Sequence, residues 1–257
     1  MDTTEKLPTV ISFCSGYGGI ERGLNLAGFR HRVISYVEIE AFCCENLATK
    51  MENNQLDAAP IWTNIKTFPA HVFRDKVTLI TGGYPCQSFS AAGKRKGTDD
   101  PRHLWPYIKE HITTIRPIRV FFENVEGHIT LGLREVISDL ESLGYVCAWG
   151  IFSAREVGAP HQRKRVYILA DTICKGPQGR LSRRSDTQWQ GEFRHAGRSS
   201  TAPQWGQDES WPPEPRLGRV VDGCADRVDR IRLLGNAVVP QTAAKAWTTL
   251  TKRIGGS

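Results

Sequence analysis

No Cys-x-x-Cys pair occurs in this chain, although it holds seven cysteines; they are scattered and odd in number. A disulfide framework and a structural zinc site are therefore not expected, whereas a reducing compartment is. No run approaches the ~18 consecutive apolar residues that a membrane-spanning helix needs. The opening residues, Met1-Asp2-Thr3-Thr4-Glu5-Lys6, are too polar for a signal peptide. Internal repeats and long low-complexity tracts are missing too. These absences lead to the expectation of a cytoplasmic globular protein with neither membrane nor metal as a partner. At 257 residues it has room for one large α/β domain, or one of usual size with a modest appendage.

Net positive charge is missing early and abundant late. Residues 1–150 hold 16 Lys and Arg against 17 Asp and Glu; residues 151–257 hold 18 against 10. The net charge of +7 thus belongs to the C-terminal part. Such a placement suits a polyanion, although a solvated basic surface has the same composition.

Short apolar runs alternate with amphipathic stretches through the first 170 residues. Strands are expected at Thr9–Phe13, Val33–Val37, Val77–Ile80, Ile118–Phe122, Tyr145–Phe152 and Arg165–Leu169. Helices are expected at Ile20–Leu26, Ala41–Thr49, Leu104–Ile115 and Leu131–Leu143, the last capped by Gly144. The alternation predicts a mostly parallel α/β sheet covered by helices on both faces. Residues 171–218 are rich in Gly, Ser, Arg, Gln and Pro with little periodicity, as in a loop-built recognition segment or a poorly ordered insert. A final helix runs from Pro240 to Ile254.

Ligands of open α/β sheets bind beyond the carboxyl ends of the strands. The first strand delivers Ser15-Gly16-Tyr17-Gly18-Gly19, where glycines permit a close approach and a sharp turn into a helix. The second delivers Glu38, placed to accept hydrogen bonds from ribose hydroxyls. Together they suggest an adenosine-containing cofactor; a tight turn beside a surface acid is the plainer reading. The strand at 77–80 leads to Gly83-Tyr84-Pro85-Cys86-Gln87-Ser88, a cysteine held behind a proline and aimed at the crevice. Cys14, Cys43, Cys44, Cys147, Cys174 and Cys224 read instead as small buried residues. The run Val120-Phe121-Phe122 leads into Glu123, so its carboxyl should be desolvated and its pKa raised. Along Pro160–Tyr167, strand alternation puts His161, Arg163 and Arg165 on one side, facing a carbonyl or phosphate; a charged edge strand is the alternative.

With these residues in view, the chain resembles the DNA (cytosine-5)-methyltransferases along most of its length. The matching blocks, in the family's order, are Phe13-Cys14-Ser15-Gly16-Tyr17-Gly18-Gly19, Gly83–Ser90, Glu123-Asn124-Val125, Arg163-Lys164-Arg165 and Gly235–Pro240. The resemblance implies a Rossmann-like S-adenosylmethionine-dependent methyltransferase sheet with one antiparallel strand, and a C-terminal helix returning to pack on it. It implies S-adenosylmethionine as methyl donor and a flipped-out cytosine of double-stranded DNA as acceptor. Cys86, Glu123, Arg163 and Arg165 take the catalytic positions. Phe13, Ser15, Gly16, Gly18, Gly19, Glu38, Ile39, Asn64, Ile65, Pro85, Leu104, Asn236 and Val238 take the cofactor positions. Gln87, Ser88, Ser90, Lys94, Arg95, Lys96, Arg183 and Arg184 take the DNA side. On this reading residues 1–170, completed by 236–257, are catalytic and residues 171–235 form a short target-recognition region. A monomer is expected, near the nucleoid, with room for a partner restriction endonuclease.

Some positions depart from the family's pattern. His161 stands where Gln is usual and Asn64 where Asp is usual, and the Arg-Leu-x-Gly-Phe-Pro block before Gly235 is not recognisable. Three other readings compete: methylation of tRNA, a catalytically silent DNA-binding homologue, and a nucleotide-dependent oxidoreductase. The Cys-Phe-Thr signature of the tRNA branch is missing. Intact Cys86, Glu123 and Arg165 oppose the second, and the third leaves the later blocks unexplained.

Overall fold

The β-branched and aromatic runs at Thr9–Phe13, Val33–Val37 and Val120–Phe122 fall in strands, because such residues pack well on a pleated, buried surface. The computed structural model describes residues 7–85, 104–172 and 237–255. It begins with β1 (Thr9–Phe13), α1 (Gly19–Leu26), β2 (Arg32–Val37), α2 (Ala41–Glu52), β3 (Ile61–Trp62) and β4 (Leu79–Gly82). It continues through α3 (Trp105–Ile115), β5 (Arg119–Val125), α4 (His128–Leu131), α5 (Leu133–Ser142), β6 (Tyr145–Ser153) and β7 (Lys164–Thr172), and ends with α6 (Pro240–Gly255).

The strands lie in the order β3-β2-β1-β4-β5-β7-β6. All neighbours run parallel except β7, which is antiparallel to both β5 and β6. This is the expected α/β methyltransferase-type sheet with one reversed strand. Successive residues of a strand face opposite sides, so Phe122 enters the layer with Ile108 and Ile112 of α3, and Phe121 the layer with Leu24 of α1 and Trp247 of α6. Both faces are thus covered. The helix α6 returns to lie on α1 and the β6–β7 pair, and Arg253 Nη1 donates to the carbonyl of Trp149 at 3.0 Å.

Three expectations need correction. The strand expected at 77–80 runs over Leu79–Gly82. The helix expected at 131–143 starts earlier and is split at Gly132, where a Cβ would stand 2.9 Å from the His128 ring. The two-residue edge strand β3 was not expected at all. The recognition region proposed for 171–235 falls almost wholly outside the described residues.

Candidate functional site

The carboxyl ends of β1, β2, β4 and β5 share one edge of the sheet. After β1 the backbone takes positive φ at Cys14 (+49), Gly16 (+55) and Gly18 (+77). At Gly16 an added Cβ would meet nothing within 4 Å, so the turn keeps an open outer surface. Glu38, directly after β2, is buried and ties itself to that turn. Its Oε2 accepts the Gly16 N–H at 2.7 Å, and its Oε1 accepts those of Ile39 and Glu40 at 2.9 Å each. Ile39 beside it is 72% exposed, an apolar face presented at the strand end.

The other expected cofactor residues line up unevenly. The Ser15 hydroxyl donates to the carbonyl of Ser12 at 2.9 Å. Phe13 is wholly buried, its ring edge-on to Phe68, so it sits in the core and not on the crevice surface. Asn64 Oδ1 accepts the Lys66 N–H at 3.0 Å, which leaves its amide N–H groups for a ligand. Ile65 is buried beneath it, Leu104 is half-buried at the start of α3, and Pro85 is exposed.

The second half of the site is set by the β5–β7 ladder. Glu123 stands opposite Tyr167 and Val125 opposite Arg165. Paired residues share a face, as do residues two apart on one strand; Glu123, Arg165 and Tyr167 therefore point the same way. Arg165 Nε lies 2.9 Å from Glu123 Oε1. The guanidinium holds that oxygen through an ion pair between two largely buried side chains. Burial pushes the Glu123 carboxyl up to about 7, with Arg165 and then Arg163 restraining the rise. The acid is thus poised to give or take a proton near neutrality. A Cβ on Gly83 would lie 3.3 Å from Glu123 Oε2, so the turn that leads to Cys86 runs directly against the acid.

The alternation expected through 161–165 does not hold. β7 starts only at Lys164, and Arg163 has φ +29, so the two arginines divide. Arg165 turns to Glu123, while Arg163 donates to the carbonyl of Ala237, just before α6. Nearby the Tyr17 hydroxyl donates to the carbonyl of Val238, the same atom that a Cβ on Gly19 would meet at 2.8 Å. Lys50 closes the other side of Tyr17: its Nζ donates to the Tyr17 carbonyl at 2.7 Å and lies 4.2 Å above the ring. Glycine turn, acid, arginines and the approach to α6 therefore form one cluster.

Sequence reasoning gave Tyr17, Lys50 and Ala237 no role; only the places of Tyr17 and Ala237 inside the matching blocks could have drawn notice. It also missed the bond between Tyr84 and His128, whose hydroxyl and Nε2 are 3.0 Å apart. Tyr84 is locked further by edge-on contact with Phe122 and by Trp105. Burial pushes the Cys14 and Cys147 thiols up to about 12, which suits their reading as inert core residues. Cys86, Gln87, Ser88, Ser90, Lys94, Arg95, Lys96, Arg183, Arg184 and Asn236 lie outside the described residues. Among the described residues no helix is long and apolar enough to cross a membrane, and no group of three His, Cys, Asp or Glu is gathered around a metal position.

Known proteins similar to this chain are methyltransferases. The chain is 33% identical to Type II methyltransferase M.BsuRI of Bacillus subtilis, over 64% of this chain and 43% of that one. It is 32% identical to Type II methyltransferase M.AquIA of Picosynechococcus sp., over 65% of this chain and 73% of that one. The chain thus spans less than half the length of some of the curated relatives it matches. Among solved structures, the S. pombe Dnmt2 methyltransferase superposes with a TM-score of 0.55 at 26% identity, over 74% of this chain and 59% of that one. The model of the C-5 cytosine-specific DNA methylases matches residues 8–189. That match takes in the glycine turn, Glu38, Glu123 and Arg165, and with it the chain belongs to the C-5 cytosine-specific DNA methylase family.

Proposed function

We propose that this protein transfers a methyl group from S-adenosylmethionine to C5 of a cytosine extruded from double-stranded DNA, through a covalent bond between Cys86 and C6. The observation that carries this reading is Glu123: a buried strand-end acid pushed up to about 7, with Arg165 against it and the Gly83 turn at its other oxygen.

The residues at the glycine turn fit the donor. The open surface over Gly16, the buried carboxylate of Glu38 and the exposed Ile39 suit, in turn, a closely approaching ligand, ribose hydroxyls and a planar base. S-adenosylmethionine, when bound, supplies an electrophilic methyl group on a positively charged sulfur. The protein's task is to make a poor nucleophile, cytosine C5, attack it. The Cys86 thiolate adds to C6, and the ring electrons move toward C5. Glu123, protonated, donates to N3 and so draws the negative charge away from the ring, while Arg165 faces O2. A positioned acid of this kind is worth roughly 10²–10⁴-fold in rate. Water then takes the C5 proton, the electron pair left behind re-forms the C5–C6 double bond as the Cys86 thiolate departs, and N3 returns its proton to Glu123. Since none of these atoms is reachable in a stacked duplex, the base is flipped out, at a cost of a few kcal/mol.

On this proposal residues 1–170 and 236–257 form the catalytic unit, and the basic 171–235 region grips DNA. A restriction endonuclease of matching specificity is the companion to look for. Labelled S-adenosylmethionine incubated with duplex DNA or with tRNA tests the reading directly. Label is expected in DNA alone, with a trapped adduct on DNA carrying 5-fluorocytosine. Transfer to DNA that persists in Cys86→Ala overturns the nucleophile, and label found only in tRNA overturns the substrate.

A further inference from the structure

Tyr167 carries a hydroxyl that its own packing does not explain. The residue is wholly buried, with its ring stacked on Phe121 at 5.6 Å and edge-on to Phe152 at 5.8 Å. A phenylalanine would keep both ring contacts. The hydroxyl has no hydrogen-bond partner among the described residues. A buried polar atom without a partner costs stability, so packing alone favours Phe here. Burial and the Glu123 charge hold this phenol well above its ordinary pKa, so it stays neutral.

What singles out the position is its register. Tyr167 is the direct cross-strand partner of Glu123, whose Oε1 faces Arg165 Nε at 2.9 Å. Directly opposed residues in such a ladder have Cβ atoms roughly 5 Å apart. The hydroxyl is thus a neutral donor on the same face of the sheet as an acid that must become negative when its proton leaves. Among the described residues the other charged or titratable groups facing Glu123 are Arg165 and Arg163 from β7 and its approach, and Tyr17 from the turn after β1. Arg163 is already engaged with Ala237 and Tyr17 with Val238.

We propose that Tyr167 is a positioning residue for Glu123: its hydroxyl is the donor that receives the carboxylate as the acid hands its proton to the substrate ring. This rests on Glu123 acting as the acid in the proposed reaction. The hydroxyl is retained at a cost in stability, as residues tied to function often are.

The test is Tyr167→Phe in the full chain, beside Glu123→Gln. The titration of Glu123 is followed by difference infrared spectroscopy of its protonated carboxyl, using Glu123→Gln to identify the band, and in parallel by the pH profile of methyl transfer to duplex DNA. A hydrogen bond to a charged group corresponds to roughly one to two pH units. In Tyr167→Phe the Glu123 midpoint and the alkaline limb of the profile are expected to rise by at least about one unit. kcat should fall about tenfold while KM for DNA and donor stays within about twofold. Tm should hold or rise. An unmoved or lowered infrared midpoint overturns the proposal, whatever the change in Tm. If Glu123→Gln transfers methyl groups at the native rate, the acid assignment fails instead, and the infrared midpoint still decides whether Tyr167 contacts Glu123.

Discussion

Asn124 Nδ2 donates to the carbonyl of Tyr84 across 3.2 Å, so β5 holds the strand-end turn that leads to Cys86. One strand therefore does two things at neighbouring positions: Glu123 faces the acid cluster, and Asn124, on the opposite face, anchors the chain two residues before the proposed nucleophile. The Asn124 Oδ1 also accepts the Val125 N–H at 2.9 Å, which fixes the amide orientation. Removing that amide in Asn124→Ala takes one donor from the Tyr84 carbonyl, worth about 0.5–1.5 kcal/mol. Displacement of a reacting group by even an ångström costs about 10²-fold in rate. We expect Asn124→Ala to lower the single-turnover rate of adduct formation far more than donor affinity, measured on 5-fluorocytosine DNA and by calorimetry respectively. Equal losses in both would show that the bond supports the fold alone.

Glu123 and His128 make opposite demands on pH, and both are buried. The carboxyl is raised from 4.5 to about 7, so its contribution to stability is whole below 4.5 and lost as pH rises through 7. The imidazole is lowered by burial from 6.5 to about 4, so its contribution is whole above 6.5 and lost as pH falls through 4. Each is on the order of 3 kcal/mol, and the two nearly cancel between 4.5 and 6.5. Thermal melts across this window should therefore slope little for the native chain. Glu123→Gln should gain stability as pH rises, and His128→Phe should lose it. Parallel profiles for all three proteins would contradict the burial of one group or the other.

Gly23 lies where α6 crosses α1, and a Cβ there would stand 2.7 Å from both the Ala243 Cβ and the Pro240 carbonyl oxygen. In an isolated helix Gly→Ala stabilises by up to about 1 kcal/mol. Here the obstruction includes backbone, which cannot rotate away, so overpacking of about 1–3 kcal/mol decides the sign. Urea unfolding of Gly23→Ala should show a lower midpoint with an unchanged m-value. A raised midpoint would mean that α6 sits farther from α1 than the structure places it.

Most of the sheet was legible because its strands are short, apolar and separated by turn residues; β1 begins and ends where the run Thr9–Phe13 does. What was missed lacks a local signal. β3 is two residues at an edge, too short for any period. The division of labour between Arg163 and Arg165 turns on one positive φ, at a residue type that gives no hint of it. The Tyr84–His128 bond joins positions 44 residues apart on different elements. Glu123 was readable as a raised acid from the aromatic run before it, but its pairing with Tyr167 depends on the antiparallel register.

The last test concerns the acid at the cofactor turn. Glu38 was expected to meet ribose hydroxyls, yet its two oxygens already accept three backbone N–H groups, one of them from Gly16. A carboxylate has about four acceptor sites, so room for a ligand hydroxyl remains. A carboxamide does not serve as well, because one of its two heavy atoms donates. In Glu38→Gln at least one backbone N–H, on the Gly16 side or the Ile39 side, faces an –NH2 group and loses its acceptor. Leaving a buried donor unpaired costs about 1–3 kcal/mol, or roughly 5- to 150-fold in an equilibrium constant. The cost falls on the turn that shapes the donor site, so S-adenosylmethionine affinity should drop by about that factor, with Tm lowered as well. DNA binding without donor should change little, because among the described residues the Glu38 network meets the Glu123 cluster only through Gly16 and Tyr17. A variant with native donor affinity would show that Glu38 braces the turn without shaping the ligand surface.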